Sequence, residues 1–172
     1  MTRSSATGAG GTPATVALEQ AGIHHTRHSY AHDPRAAAGR GGYGLEAADA
    51  LGLEPATVLK TLLVTLDGAP RPGLGVAVVP VTHSLDLKAV AAALGVKRAA
   101  MAEPRAAERA TGYVVGGISP VGQRTVLPTV VDVSALTHPV VFVSGGRRGF
   151  DVGLAPQDLV RVTSAVVAPV AR

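Results

Sequence analysis

The chain contains no cysteine. This absence excludes disulfide bridges, zinc–thiolate sites and a thiol nucleophile supplied by the protein. Aromatic residues make up only 3% of the 172 residues and tryptophan is missing, so the core has to be built from Val, Leu, Ile and Ala. With 47% apolar and 16% charged residues, the composition predicts a compact globular protein rather than a disordered chain.

Long hydrophobic segments are also missing. No run approaches the roughly 18 apolar residues of a membrane span, and the polar segment 1–11 lacks the apolar stretch of a signal peptide. We therefore expect a cytoplasmic protein with no membrane partner, in which 1–11 is a disordered lead-in and 12–172 forms one domain. The net charge of +4 and the isoelectric point near 10 permit an anionic partner such as nucleic acid without establishing one.

Turn residues and hydrophobic periodicity divide 12–172 into short elements in which strands outnumber helices. Helices are predicted at 13–21, 45–51, 86–94, 104–111 and 157–162, and the segment 31–44 is predicted to be a mobile loop. Strands are predicted at 23–30, 58–66, 74–81, 113–115, 125–133, 140–143, 150–154 and 165–170. This order predicts an α+β fold with a mixed, largely antiparallel, curled or barrel-like sheet and helices packed outside.

One lysine lies in an apolar run that is typical of a buried strand. Lys60 interrupts the segment 58–64, although only three of the 16 basic residues are lysines. An unpaired ammonium inside a protein costs several kcal/mol, so a functional Lys60 needs a group that receives its charge. Alternatively, its stem packs on apolar neighbours while the charge reaches solvent at a sheet edge. The residues alone leave both interpretations open.

Two glycine-rich segments each follow a predicted strand. The segment 116–122 contains three glycines and can aim successive backbone N–H groups at one oxygen, as an oxyanion hole requires, or it can be a plain tight turn. The segment 144–151 combines Ser144, Arg147, Arg148 and Asp151, which suits a phosphate or the sugar end of a nucleic acid. Its simpler interpretation is a solvated basic hairpin.

Two other kinds of site find little support. On an extended strand 23–32, His24, His28 and His32 would share one face and could be imagined as zinc ligands, but their spacing matches no recognised ligand pattern. No serine is set in a Gly-x-Ser-x-Gly elbow, which argues against a Ser-His-Asp hydrolase.

Taken in order, seven stretches resemble one protein family. They are residues 12–14, 28–34, 60–62, 85–88, 111–120, 127–129 and 144–149. The chain resembles the YbaK family over about residues 12–172. These are freestanding Cys-tRNA(Pro) deacylases, related to the editing domain inserted in bacterial prolyl-tRNA synthetases.

The resemblance implies trans-editing without a cofactor or a metal. Its expected substrate is cysteine esterified to tRNA(Pro), and its expected partners are mischarged tRNA(Pro) and prolyl-tRNA synthetase. The substrate's own sulfur would attack its carbonyl, so the missing enzyme thiol is no obstacle. Ala-tRNA(Pro) or a broader set of aminoacyl-tRNAs is an alternative substrate, and a non-catalytic module that binds tRNA or the synthetase is an alternative function.

The resemblance also implies site residues. The implied catalytic residues are Lys60, Gly116, Gly117 and Ile118, where the amides of the last three would hold the carbonyl oxygen. The implied substrate-binding residues are Tyr30, Tyr43, Thr61, Ser119, Ser144 and Asp151, and the implied tRNA-binding residues are Arg147 and Arg148. Three departures are visible: the loop 36–42 is longer and richer in glycine than is usual in the family, Tyr43 stands where phenylalanine is common, and Arg147 stands where lysine is frequent.

Overall fold

The computed structural model describes residues 11–39 and 42–172. Within these ranges the chain forms six α-helices and eight β-strands. The helices are α1 (Pro13–Gln20), α2 (Pro34–Gly39), α3 (Tyr43–Leu51), α4 (Leu87–Leu94), α5 (Pro104–Thr111) and α6 (Pro156–Thr163). The strands are β1 (Thr26–Ser29), β2 (Leu59–Leu66), β3 (Leu74–Pro80), β4 (Ala99–Met101), β5 (Thr129–Asp132), β6 (Val141–Arg147), β7 (Phe150–Leu154) and β8 (Val166–Ala168).

The strands form two sheets. The smaller is antiparallel with the order β1-β7-β6, and the larger has the order β4-β2-β3-β5-β8. In the larger sheet β2 runs antiparallel to β3 and β4, whereas β5 runs parallel to β3 and β8. The predicted mixed α+β class with mostly antiparallel pairing is therefore confirmed. The barrel-like closure finds no support, since each sheet ends in outer strands over the described ranges.

The strands predicted at 58–66 and 74–81 are confirmed as β2 and β3, which form a central hairpin whose pairing leaves an opening. Strand β2 pairs with β3 from Leu59↔Pro80 to Thr65↔Leu74. On its other side, β4 covers only Val64–Leu66. The first half of β2 therefore keeps an edge on which no described strand forms a ladder, and a ligand can approach its backbone and side chains there.

Alternation along the central hairpin divides the core between two faces of the sheet. Leu59 and Leu63 pack on one face with residues of the smaller sheet, and Val64 and Leu66 pack on the other face with α4. Strand β3 is buried over its whole length because both of its faces are covered. The first half of β2 is thus supported by its fully buried neighbour β3 in the larger sheet.

Capping side chains mark the start of three of the six described helices. Thr12 accepts a hydrogen bond from Thr15 N before Pro13 starts α1, and Asp86 accepts one from Ala89 N at the start of α4. The predicted mobile loop 31–44 is wrong, since it contains α2 and the start of α3. There Asp33 accepts a hydrogen bond from Arg35 N, Pro34 follows it, and three alanines favour a helix.

Several strand predictions also need correction. Residues 113–115 form a turn-containing loop rather than a strand, because the buried Tyr113 hydroxyl donates to Val121 O (2.7 Å) and draws the chain back. Strand β6 continues to Arg147, so the predicted loop at 144–149 is mostly strand closed by a tight hairpin. Strand β4 was not predicted, and β1, β5 and β8 are shorter than expected. Apart from Gly11, the predicted lead-in 1–11 lies outside the described residues.

Candidate functional site

A cavity of about 350 Å³ opens where the first half of β2 meets α3, the loop 113–118 and the hairpin formed by β6 and β7. This volume is in the range of small-ligand sites. It is lined by Tyr30, Gly42, Tyr43, Gly44, Leu45, Ala47, Val58, Leu59, Lys60, Thr61, Leu62, Val81, Val115, Gly116, Ile118, Ser144 and Asp151.

The structure brings most of the predicted site residues to this one cavity. Those in its lining are Tyr30, Tyr43, Lys60, Thr61, Gly116, Ile118, Ser144 and Asp151. Those outside the lining are Gly117, Ser119, Arg147 and Arg148. The predicted residues in the lining come from five separate stretches of the chain, so it is the fold that brings them together.

Lys60 supplies the positive charge of the cavity. It lies on β2 opposite Val79, and burial lowers the pKa of its ammonium. No ion pair joins it to Asp151, and none of the ion pairs found among the described residues includes Lys60. A partly desolvated cation without a protein counter-charge is suited to a ligand oxygen.

Asp151 is the buried acid of the cavity. It lies on β7 directly opposite Ser144 of β6, it is only 6% exposed, and burial raises the pKa of its carboxyl group from 3.8 to about 7. Burial, followed by the charges of Asp151 and Glu46, raises the pKa of Tyr30 to about 12. Tyr30 therefore keeps its proton at neutral pH, and Asp151 is poised to gain or lose one.

Thr61 adds a hydroxyl group to the same wall. Its Oγ1 is buried and has no hydrogen-bond partner among the residues that the structure describes. Leaving such a group unpaired costs on the order of 1–3 kcal/mol. Because Thr61 lines the cavity, a bound ligand can supply the missing partner.

The glycine loop leaves two of the three predicted amides without a hydrogen-bond partner among the described residues. Gly117 N donates to Val114 O (2.9 Å) within the turn, so the predicted role of this amide in holding the carbonyl oxygen is wrong. Gly117 is required for another reason: a Cβ there would lie 2.7 Å from Cα of Arg147. The N–H groups of Gly116 and Ile118 have no partner in the described part of the chain. Gly116 also has φ of +88°, which favours glycine.

Ser119 does not face the cavity, which corrects its predicted substrate contact. It is 0% exposed, and its Oγ accepts a hydrogen bond from Val121 N at 3.2 Å. This is a local turn-forming contact of the kind that serine makes with the backbone two residues further on. Ser119 therefore shapes the loop that carries Gly116 and Ile118.

A cluster around the Tyr43 ring closes one side of the cavity, and the sequence did not reveal it. The His32 ring lies 5.5 Å from the Tyr43 ring, and Arg148 Cζ lies 5.2 Å from its centre. Glu46, only 4% exposed, accepts hydrogen bonds from His32 Nδ1 (3.0 Å) and Asp33 N (2.6 Å). The sequence signal for Glu46 was an acid flanked directly by apolar residues in a predicted helix. An acid that is buried in such a position needs hydrogen-bonding or charged partners.

The histidines do not assemble as the zinc hypothesis requires. Strand β1 covers only Thr26–Ser29, so His24 and His32 lie outside it and the shared face does not exist. Over residues 11–39 and 42–172, no group of three or more His, Cys, Asp or Glu side chains is arranged to hold a metal ion.

None of the helices in those ranges is long and apolar enough to cross a membrane.

Comparison with known proteins assigns the chain to a family. A family model described as the aminoacyl-tRNA editing domain matches residues 44–162, more than half of the chain. The chain belongs to the aminoacyl-tRNA editing domain family. Every cavity residue predicted from the sequence lies within this match except Tyr30 and Tyr43, which precede it. The resemblance noted in the sequence is thereby confirmed.

Relatives of the editing domain agree with this assignment. A protein of Enterococcus faecalis named as a candidate Cys-tRNA(Pro)/Cys-tRNA(Cys) deacylase, EbsC, is 35% identical over 123 residues, which cover 72% of this chain and 73% of that protein. A crystal structure of a candidate trans-editing enzyme for prolyl-tRNA synthetase is 28% identical, with a TM-score of 0.78 and coverage of 93% and 95%. The hypothetical protein APE2540 is 27% identical, with a TM-score of 0.79 and coverage of 94% and 100%.

These findings fix the class of reaction. The chain is an aminoacyl-tRNA deacylase, as predicted, and domains of this kind act on mischarged tRNA.

Proposed function

We propose that this editing domain removes cysteine from Cys-tRNA(Pro) in trans. The observation that carries the proposal is the juxtaposition, in one cavity, of the Lys60 ammonium with the amides of Gly116 and Ile118, all three without a partner in the ranges that the structure describes. The names of the E. faecalis relative and of the trans-editing structure support the choice of cysteine and of a proline tRNA. Cysteine and proline are close in size, so a synthetase pocket separates them poorly and a second hydrolytic check is useful.

The chemistry requires no thiol or metal from the protein. The substrate's sulfur attacks the ester carbonyl carbon, a carbon–sulfur bond forms, and the bond from that carbon to the ribose oxygen breaks. The thiol proton ends on the released ribose hydroxyl, and the products are a cyclic cysteine thiolactone and free tRNA. The amides of Gly116 and Ile118 hold the carbonyl oxygen as it becomes negative, a role worth about 3–4 kcal/mol per donor.

The remaining side chains orient the substrate. Lys60 binds the ester or the terminal adenosine and offsets the developing charge. Asp151 and Ser144, opposite each other on neighbouring strands, hold the amine or the sulfur, and the carboxyl pKa of about 7 allows Asp151 to relay the thiol proton. Tyr30, Tyr43 and Thr61 complete the walls. Arg147 and Arg148 lie beside the opening and are available to tRNA phosphates.

We also propose the setting in which the domain works. Residues 12–172 act as one domain in the cytoplasm, where charged tRNA is found, and prolyl-tRNA synthetase is the partner that supplies mischarged tRNA(Pro). The cavity accommodates little beyond an amino acid and the tRNA end, so selection among tRNAs has to come from such a partner.

The test is a deacylation panel with tRNA(Pro) charged with cysteine, serine or alanine, with and without prolyl-tRNA synthetase. We expect rapid loss of the cysteine ester and slow loss of the serine ester, because the hydroxyl is a weaker nucleophile. Equal rates for cysteine and serine would overturn attack by the substrate's sulfur, and preferred loss of alanine would make Ala-tRNA(Pro) the substrate. If the chain binds charged tRNAs but hydrolyses none of them, the alternative function as a non-catalytic tRNA-binding module is correct.

A further inference from the structure

Arg148 is bound to the peptide unit that precedes a cavity amide. Its Nε donates to Val115 O at 2.9 Å, and its guanidinium lies over the Tyr43 ring, with Cζ 5.2 Å from the ring centre. Val115 C=O and Gly116 N–H belong to the same planar trans peptide, in which the two groups point in opposite directions. A group that fixes the oxygen of this peptide therefore also fixes the direction of the Gly116 N–H.

The surrounding contacts hold the same peptide from other sides. The Tyr43 ring lies so close to Gly116 that a Cβ there would be 2.7 Å from two ring carbons. Gly117 packs on the backbone of Arg147 and Arg148, and its own amide is occupied by the turn. The loop and the hairpin thus meet backbone to backbone, and the Arg148 side chain reaches across that junction to the Val115 oxygen.

We propose that Arg148 is a positioning residue that sets the orientation of the Val115–Gly116 peptide, so that the Gly116 N–H is aimed at the substrate's carbonyl oxygen. This inference rests on the proposed function for the role of that amide, and it revises the assignment of Arg148 as only a contact for tRNA phosphates. A charge-assisted hydrogen bond to the carbonyl also polarises the peptide, which strengthens the N–H as a donor.

A tRNA contact and a positioning role predict different behaviour. A residue that serves only phosphates contributes a salt-dependent affinity, retained by lysine and irrelevant to a substrate without the tRNA body. A positioning residue changes the rate of the bound substrate at any salt concentration. Lysine does not replace it, because an ammonium cannot hold the Val115 oxygen and stack on Tyr43 in the manner of a planar guanidinium.

The kinetic experiment uses the full chain, Cys-tRNA(Pro) and 3′-cysteinyl adenosine, which lacks the tRNA phosphates. We expect R148A and R148K to lower the single-turnover rate at saturating substrate about 10-fold or more with both substrates, since misplacing one oxyanion donor forfeits part of its effect. R105A is the charge-matched control, because Arg105 is exposed on α5 and makes no described side-chain contact. A wild-type rate for R148K, or a loss confined to Cys-tRNA(Pro), would overturn the proposal.

A second readout separates this inference from the proposed function. The backbone amide resonance of Gly116 is followed by nuclear magnetic resonance in the ligand-free wild type, R148A and R105A. We expect R148A alone to shift this resonance and to speed its hydrogen exchange. An unmoved Gly116 resonance in R148A overturns the positioning role, even if the chain hydrolyses every substrate. Conversely, a chain that hydrolyses none of them while the resonance shifts keeps the positioning contact and loses the proposed reaction.

Discussion

Lys60 and Asp151 line the same cavity but form no ion pair. Each is shifted by burial toward its neutral form, with the pKa of the ammonium lowered and the pKa of the carboxyl group raised. Neither group is placed to maximise the stability of the folded protein. Such uncompensated groups are typical of sites that bind a charged or strongly polar ligand.

Lys60→Met is expected to slow deacylation strongly without destabilising the fold. Methionine keeps much of the volume of the stem and removes a charge whose pKa burial lowers, so the melting temperature should stay unchanged or rise. Single-turnover deacylation should fall about 100-fold or more if Lys60 offsets charge in the transition state. Lys88→Met on the exposed face of α4 is the matched control and should retain both properties. Full activity in the Lys60 variant would remove this residue from the mechanism.

Asp151→Asn should stabilise the protein in a manner that depends on pH. Because the carboxyl pKa rises from 3.8 to about 7 on folding, the folded state holds a proton between these pH values that the unfolded state has released. Wild-type stability therefore falls as the pH rises through this window, and the cost is fully present above pH 7. Asparagine has no such cost, so its advantage should grow from near zero at pH 4 to roughly 2–4 kcal/mol above pH 7.

Chemical unfolding at several pH values measures this difference directly. Other titrating groups cancel when the variant is subtracted from the wild type. Asp67→Asn is the control, since Asp67 is exposed at the turn between β2 and β3 and pairs with Arg98 at the surface. A difference for Asp151→Asn that does not change between pH 4 and pH 8 would contradict the raised pKa.

Local sequence signals were sufficient to predict the elements that are bounded by capping residues or turns. Thr12 and Asp86 before their helices, and the turn before Gly73 in the central hairpin, are decided by contacts a few residues apart. Residues 113–115 form a loop because the Tyr113 hydroxyl donates to Val121 O. Strand β4 forms because the edge of β2 is open for pairing. Neither contact leaves a local pattern, so periodicity misassigned the first and missed the second.

Some features of the site could likewise be predicted from the sequence, and others depend on contacts between distant segments. The residue types that carry chemistry, such as Lys60 in an apolar strand and Asp151 after a glycine-rich segment, could be predicted to lie in the cavity with the help of the family resemblance. The sequence could not predict which backbone amides lack a hydrogen-bond partner. Gly116 and Gly117 look alike in sequence, but only the Gly117 amide is used in a hydrogen bond of the turn. The burial of Ser119 is likewise set by packing from distant segments.

Thr61→Val tests whether the buried hydroxyl serves the substrate. Valine has nearly the same shape and removes an oxygen that has no partner in the described part of the chain, so the free energy of unfolding should stay level or rise by about 1 kcal/mol. Deacylation should nevertheless slow if that oxygen binds the ester end of the substrate. Thr65→Val on the same strand is the control, because Thr65 is exposed and its hydroxyl already contacts Ala100 O at 3.4 Å. Wild-type kinetics in Thr61→Val would leave this hydroxyl without a role in binding.

Arg147→Ala examines the electrostatic part of tRNA binding. Arg147 Cζ lies 4.5 Å from the centre of the Phe150 ring, and unlike Arg148 its side chain makes no described contact with the glycine loop. If its charge faces a tRNA phosphate, affinity for uncharged tRNA should fall similarly for different tRNA species. The slope of log affinity against log salt should become shallower by about one unit. Fluorescence titrations at several salt concentrations measure the slope, with Arg105→Ala as the control for net charge. An equal change in both variants would show that the overall charge, and not the position beside the cavity, governs binding.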